Sequence, residues 1–456
     1  MYEFRLPQGF LLGTANSAFQ SEGAYDRDGK SLSMLDCYAR SYAGKLQPGG
    51  GDTPMTQELP DNGCFFYDNY ESYIEDMQKT GQDTFRMSLA WPRIIPDGTG
   101  AVNPMGIAFY NKVIDKLLSC GIQPLVDLFH WDLPMCLMEQ GGFRNPSFPE
   151  WFENYAKVCF EAFGDRVKLW STFNEPSVII TLGYINGRFP PFERNLEGGL
   201  LASTHLVAAH HRAVRLYKSM DLDGKIGAVL AIVPVTPADL NEDDVGAADR
   251  QAMIHFDWWM ESMLEGTYPR RILEECPAYR QALPENYQQL LRQWYTPMDF
   301  VGINYYYPER CAYVPDNILK STNVENFYSS PDSAFDPYPS GLFDALWHVS
   351  QRYGDIPIYV TENGLGIRNI RDAERECEDD ARVDYLREHL RTVVRCIRAG
   401  INVKGYYWWN DADSYEQLTG YDHRFGLTWV DHETGQTCWK KSRYYLQAIC
   451  GTRMIN

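Results

Sequence analysis

A chain of 456 residues with 44% hydrophobic and 23% charged residues has the make-up of a folded globular protein, not of a disordered one. Its 61 acidic residues outnumber 42 basic ones, and a net charge of −19 repels phosphate backbones and argues against a nucleic-acid partner. No run approaches the roughly 18 apolar residues of a membrane span, and eleven cysteines fall without CxxC pairs or metal-ligand spacing. No membrane, metal or cofactor is therefore expected. The first residues lack the basic-then-apolar pattern of a signal segment, so a cytoplasmic protein with reduced thiols is expected. Aromatic residues reach 14%, and their flat faces and polar tips suit sugar rings, although a large core consumes most of them.

The apolar run 10–15 reads as a first strand, with Gln20 and Glu22 just beyond it. The spacing of Tyr67, Tyr70, Tyr73, Ile74 and Met77 predicts a helix that ends near Gly81. A second strand is expected over 84–91, where Arg86 stands within an apolar run. A buried arginine requires a carboxylate partner, so Arg86 points to a glutamate nearby. A helix over 107–120 leads to a third strand, 122–129, which empties into His130 and Trp131. A helix over 151–163 precedes a fourth strand that starts at Leu169, ends at Asn174 and Glu175 and is closed by Pro176. After a helix over 201–217 come a fifth strand (225–234), an aromatic-rich helix (253–264) and a sixth strand (299–306) with Asn304 and Tyr306 at its end. A helix over 342–353 precedes the seventh strand, 356–361, which delivers Glu362, Asn363 and Gly364. A last helical face through Val383, Leu386, Leu390, Val393, Val394 and Ile397 leads to the eighth strand, 403–409, ending in Trp409.

Eight strand-like runs alternating with helices, without a linker-like tract, predict an α/β fold: a single (β/α)8 TIM barrel with extended βα loops spanning 1–456. Such a barrel places groups that follow its strands on one face. Gln20, Arg86, His130, Asn174, Glu175, Asn304, Tyr306, Glu362 and Trp409 all fall there. Two strand-end glutamates facing one pocket suit glycoside hydrolysis, in which one carboxyl acts as an anion and the other as an acid. Arg86 is the charge that would keep one of them ionised.

Four stretches carry a family resemblance: FLLGTANSAFQSEGA at 10–24, TFNEP at 172–176, VTENG at 360–364 and RFGL at 424–427. In this order they resemble the signatures of glycoside hydrolase family 1, the β-glucosidase family, from Phe10 to about Tyr445. The resemblance implies that Glu362 is the nucleophile and Glu175 the general acid/base. It implies that Arg86 and Tyr306 hold Glu362 and that Asn304 positions Glu175. Asn174 would bind the sugar 2-hydroxyl; Gln20, His130 and Glu416 would bind the other hydroxyls, with Trp131 in the supporting set and Trp409 beneath the ring. A cis peptide is expected between Trp409 and Asn410. Two departures stand out: Gln417 replaces a second tryptophan of the family, and Phe335 stands where the family has a leaving-group-side tryptophan. Glu416 in place of the serine of the phosphoglycoside branch disfavours a 6-phosphate.

The expected activity is exo-acting retaining β-glycoside hydrolysis, first of all β-glucosidase activity. Alternatives are a β-glycosidase of altered glycone or linkage preference, and a non-catalytic carbohydrate-binding relative. The expected partner is a small-molecule β-glycoside or short oligosaccharide, with a homo-oligomer left open.

Overall fold

The computed structural model describes residues 3–46, 54–326, 333, 337–368 and 373–456; Phe335 lies outside the described residues. Eight parallel strands close into a barrel: β1 (Leu11–Ala15), β2 (Thr84–Ser88), β3 (Gln123–Asp127), β4 (Leu169–Asn174), β5 (Lys225–Ala231), β6 (Val301–Asn304), β7 (Ile358–Asn363) and β8 (Val403–Trp409). Each pairs with its successor, and β8 returns to β1 with Gly405 opposite Leu11 and Trp409 opposite Ala15. Buried on both faces, β2, β4 and β7 are without exposed residues, as expected of strands that helices cover. A small apolar cluster with Leu125, Leu169, Phe300, Tyr359 and Tyr407 fills the barrel and reaches Trp409 at its mouth. The larger core lies between the barrel and its helices.

Helix ends follow local chemistry. Phe66–Thr80 stops at Gly81, whose φ of 80° supplies the left-handed cap. Pro104–Ser119 starts on Pro104, and the Asn103 side chain accepts from the Met105 N–H. The second strand is shorter than expected: it ends at Ser88, and Trp91–Ile94 forms a helical turn with Pro92 in its first positions. The fifth ends at Ala231, before Pro234, and the seventh runs on through Glu362 to Asn363. The aromatic helix splits into a π-turn, Met253–Asp257, and Trp258–Glu265.

The loops after β5 and β6 build a small sheet of their own from Val235–Pro237, Glu309–Tyr313 and Ser321–Val324. The helix Glu242–Ala252 packs against it. At the opposite side, the C-terminal helix Lys441–Thr452 is tied to the barrel through a buried knot. There Arg443 donates to Asp411 at 3.1 Å, and Asp411 Oδ1 also accepts from Thr14 (2.9 Å) and Gln82 (3.2 Å). Among the described residues no helix is long and apolar enough to cross a membrane.

Candidate active site

Glu362 reaches the barrel mouth through an irregular register: Val360 pairs with Ile303, but Glu362 pairs with Asn304. Its two carboxylate oxygens meet different donors. Arg86 Nη1 donates to Oε1 at 2.5 Å, and the Tyr306 hydroxyl donates to Oε2 at 2.6 Å. Charge-assisted bonds of this kind are the short, strong ones. Arg86 is wholly buried, and its Nη2 also donates to Asn174 Oδ1 at 2.7 Å. The same guanidinium forms an ion pair with Asp127 on β3. Asp127 was missed from the sequence, although a lone acid in an apolar strand carries the same signal as Arg86 does. Burial pushes its carboxyl up to about 6, against the pull of Arg86.

Glu175 follows β4 in the left-handed region, at φ 43° and ψ 60°. A non-glycine residue held there is strained, and the Val229 carbonyl fixes it by accepting its backbone N–H at 2.8 Å. The side chain is 8% exposed and takes an amide as its partner, Asn304 Nδ2 donating to Oε1 at 2.8 Å. Burial, and then the negative charge of Glu362, raise its carboxyl to about 8; the Asn304 bond and Arg86 pull less strongly the other way. Glu175 therefore keeps its proton at neutral pH. Asn304 joins the two halves of the site. It also donates to Asn174 Oδ1 at 2.9 Å, accepts from the Thr361 hydroxyl at 2.8 Å, and pairs through its backbone with Glu362.

Both glutamates line an open pocket of about 470 Å³, together with Gln20, His130, Trp131, Tyr306, Trp409, Glu416 and Gln417. His130 Nε2 lies 3.0 Å from Asn174 Nδ2, and since Asn174 can only donate there, the proton of the ring sits on Nδ1. Burial and Arg86 hold the imidazole pKa well below its usual value, so the ring is neutral. Its Nδ1 is a buried donor with no partner among the described residues. The Trp131 indole donates to the Asn174 carbonyl at 2.9 Å and so steadies the end of β4. Trp409 Nε1 donates to Glu416 Oε1 at 3.3 Å, and burial lifts the Glu416 carboxyl to about 8. A neutral Glu416 can donate to a hydroxyl as well as accept from one. Gln20 is braced by donating to the Tyr415 carbonyl at 2.9 Å and accepting from Ser17 at 2.7 Å. Gln417 Nε2 is buried, with no hydrogen-bond partner among the described residues. The Trp409–Asn410 peptide is cis.

Every expected site residue among those described thus belongs to one constellation, and Phe335 alone falls outside the described residues. Sequence reasoning missed Asp127 behind the pocket and several residues that line it, Tyr307 and His423 among them. His423 directly precedes the RFGL stretch, which was the available signal.

One carboxyl clamped between a guanidinium and a phenol, with a second kept protonated beside it, is what cleavage of a glycosidic bond demands of a protein. The family model described as Glycosyl hydrolase family 1 matches residues 2–454, and the chain belongs to that family and is a glycoside hydrolase. It is 35% identical to beta-glucosidase A of Thermotoga maritima over 98% of this chain and 97% of that one. A 6-phospho-beta-glucosidase of Bacillus subtilis is 32% identical, with 98% of each chain covered. The Thermotoga maritima beta-glucosidase in complex with glucoimidazole superposes with a TM-score of 0.90 at 34% identity, covering 98% of this chain and 99% of that one.

Proposed function

We propose that the protein is a retaining exo-β-glucosidase in which Glu362 is the nucleophile and Glu175 the general acid/base. The carrying observation is the contrast between the two carboxyls: Glu362 is held by Arg86 and Tyr306, whereas Glu175 is held by the Asn304 amide and raised to about 8. The nonreducing-end sugar sits over Trp409. Glu362 attacks its anomeric carbon while Glu175 transfers its proton to the glycosidic oxygen, and the leaving group departs as a neutral alcohol. A covalent glycosyl-enzyme remains. Glu175, now a carboxylate, takes a proton from water, which attacks the same carbon and releases the sugar and Glu362. Arg86 and Tyr306 stabilise the returning negative charge. Gln20, His130, Glu416 and Gln417 line the pocket and are the candidates for the sugar hydroxyls, with Asn174, behind His130, assigned to the 2-hydroxyl.

A glucosyl unit is supported by the names of the relatives and by the glucoimidazole bound to one of them. The relative that acts on 6-phosphoglucosides raises a second reading. Among the described residues lining the pocket there is no lysine or arginine, and a phosphate dianion beside Glu416 would meet no cation. Gln417, whose amide nitrogen has no partner among the described residues, is the residue on which a changed glycone preference would rest. The reading also takes 1–456 as one catalytic domain. The reading keeps a cytoplasmic setting, which rests on the lack of a signal-like pattern in the sequence.

The test is hydrolysis of 4-nitrophenyl β-D-glucoside followed by NMR of the first-formed sugar. The β-anomer is expected from the wild type, with no turnover by Glu362→Gln. Release of the α-anomer, or turnover only of the 6-phosphoglucoside, sinks the proposal.

A further inference from the structure

Glu362 and Tyr306 face the pocket, and each has a sequence neighbour that faces the other way. Tyr305 packs into the core between the barrel and its helices, and Asn363 is wholly buried. A strand turns successive side chains to opposite faces, so the residue after Glu362 is aimed away from the sugar. The chemistry proposed above gives Asn363 no part, yet its amide is fully engaged. Its Nδ2 donates to the Tyr305 carbonyl at 2.6 Å and to the Tyr385 hydroxyl at 2.9 Å. Its Oδ1 accepts from the Tyr406 hydroxyl at 2.7 Å. Both amide hydrogens and the oxygen thus have partners, and only one orientation fits: a flipped amide would set oxygen against the Tyr305 carbonyl.

These bonds converge on the backbone that carries Tyr306. β6 ends at Asn304, so Tyr305 and Tyr306 lie beyond its ladder, and β7 shifts register after Val360 against both neighbouring strands. The Tyr305–Tyr306 peptide is held in another way. The Tyr305 N–H donates to the Glu362 carbonyl at 3.0 Å, the Tyr305 carbonyl accepts from Asn363, and the Tyr306 carbonyl accepts from the Tyr385 hydroxyl at 3.3 Å. Tyr385 belongs to the helix Asp380–Arg398 outside the barrel, its ring stacked on His389 at 3.8 Å and edge-on to Trp408 at 5.8 Å. At the far end of the same residue, the Tyr306 hydroxyl donates to Glu362 Oε2 at 2.6 Å. A phenol hydroxyl stands far from its own backbone, so a small turn of this peptide would carry it out of line with the carboxylate. Hydrogen bonds weaken steeply off their geometry, and a reacting group misplaced by about 1 Å loses much of its rate.

We propose that Asn363 and Tyr385 are positioning residues: they fix the Tyr305–Tyr306 peptide so that the Tyr306 hydroxyl is aimed at Glu362. The inference rests on the glycosidase reading and extends its machinery from the pocket to a helix outside the barrel. Glu362 thereby helps to hold its own donor, since its carbonyl and the amide of its neighbour grip Tyr305 from two sides. Neither Asn363 nor Tyr385 is among the residues that line the pocket, so losing either costs turnover and not sugar binding. The cost exists only while Tyr306 keeps its hydroxyl.

The experiment measures kcat and KM on 4-nitrophenyl β-D-glucoside for wild type, Tyr385→Phe, Asn363→Ala, Tyr306→Phe and the Tyr306→Phe/Tyr385→Phe double variant. Thermal melts verify the fold, and crystal structures of Tyr385→Phe and Asn363→Ala locate the Tyr306 hydroxyl. Tyr385→Phe is expected to lower kcat roughly five- to tenfold, about the worth of one hydrogen bond, with little change in KM. Asn363→Ala, which gives up all the bonds of the amide, should approach the ~10²-fold loss expected of Tyr306→Phe. In the Tyr306→Phe background the Tyr385→Phe change should cost almost nothing, because the hydroxyl that it aims is gone. In the crystals the hydroxyl should be displaced from Glu362. Should Asn363→Ala fail to fold, Tyr385→Phe, which loses a single oxygen, carries the test. Equal losses from Tyr385→Phe in the two backgrounds overturn the proposal, as does a rise in KM alone. So does a Tyr306 hydroxyl that keeps its wild-type place in the crystals. A wild type inactive on every aryl glycoside would instead strike the glycosidase reading, and the crystals would still decide whether Asn363 and Tyr385 aim Tyr306.

Discussion

Glu362 and Glu175 are the same residue type at the same barrel mouth, yet their surroundings are opposites. Glu362 takes a cation on one oxygen and a phenol on the other. Glu175 takes a single amide, and its neighbour's negative charge presses on it. The difference lies less in the glutamates than in what the adjacent strands bring. β2 and the segment just after β6 supply Arg86 and Tyr306 to one side, whereas among the described residues the hydrogen-bond donor on the other side is the Asn304 amide. Division of labour between two identical acids is thus written in the strands beside them.

The hardest way to break the comparison is to neutralise the clamped acid. Glu362→Gln is expected to lower kcat by about 10⁴-fold or more on every glycoside, read by steady-state assay. A loss of only tenfold would mean that the clamp serves stability instead. Glu175→Gln should divide substrates by leaving group. Cellobiose, whose departing hydroxyl needs a proton, should fall by roughly 10²–10⁴. The first turnover of a dinitrophenyl glucoside, which needs none, should change far less; equal losses in a stopped-flow comparison would remove the acid role. Tyr306→Phe takes one donor from Glu362 and should cost about 10² in kcat. KM should move little.

The smallest effect is a displacement in pH. Glu175 works in its protonated form, so kcat/KM should decline as pH rises through about 8. The Asn304 bond lowers that pKa, so Asn304→Ala should move the alkaline limb to higher pH while reducing the rate. A limb that stays in place, or moves down, would dissociate it from Glu175.

The strands were legible because β-branched, apolar runs ended in unusual polar residues, and the two glutamates because their motifs are short and specific. β8 was read to the residue, whereas β2 was drawn too long, since Leu89, Ala90 and Trp91 are apolar without being extended. Burial alone does not separate a strand from a turn that packs equally well. Asp127 stayed hidden because Arg86 was assigned one partner when a buried guanidinium has room for several. The left-handed backbone of Glu175 has no sequence signature in a non-glycine residue. The small sheet after β5 and β6 is built from strands of three to five residues within loops, too short to show a period.

The pairing of β8 with β1 has a consequence of another kind. Neighbouring strands elsewhere in the barrel lie close in the chain, but this last seam joins residues near one terminus to residues near the other. Contacts of such sequence separation form slowly, because the intervening chain must first be ordered. Trp409, the floor of the sugar pocket, belongs to the seam, and the Asp411–Arg443 knot locks it from outside. A nascent or partly refolded chain can therefore own both glutamates and still have nowhere to seat a sugar. Recovery of activity during refolding becomes a clock for closure of the ring, and it should lag behind the return of helical signal.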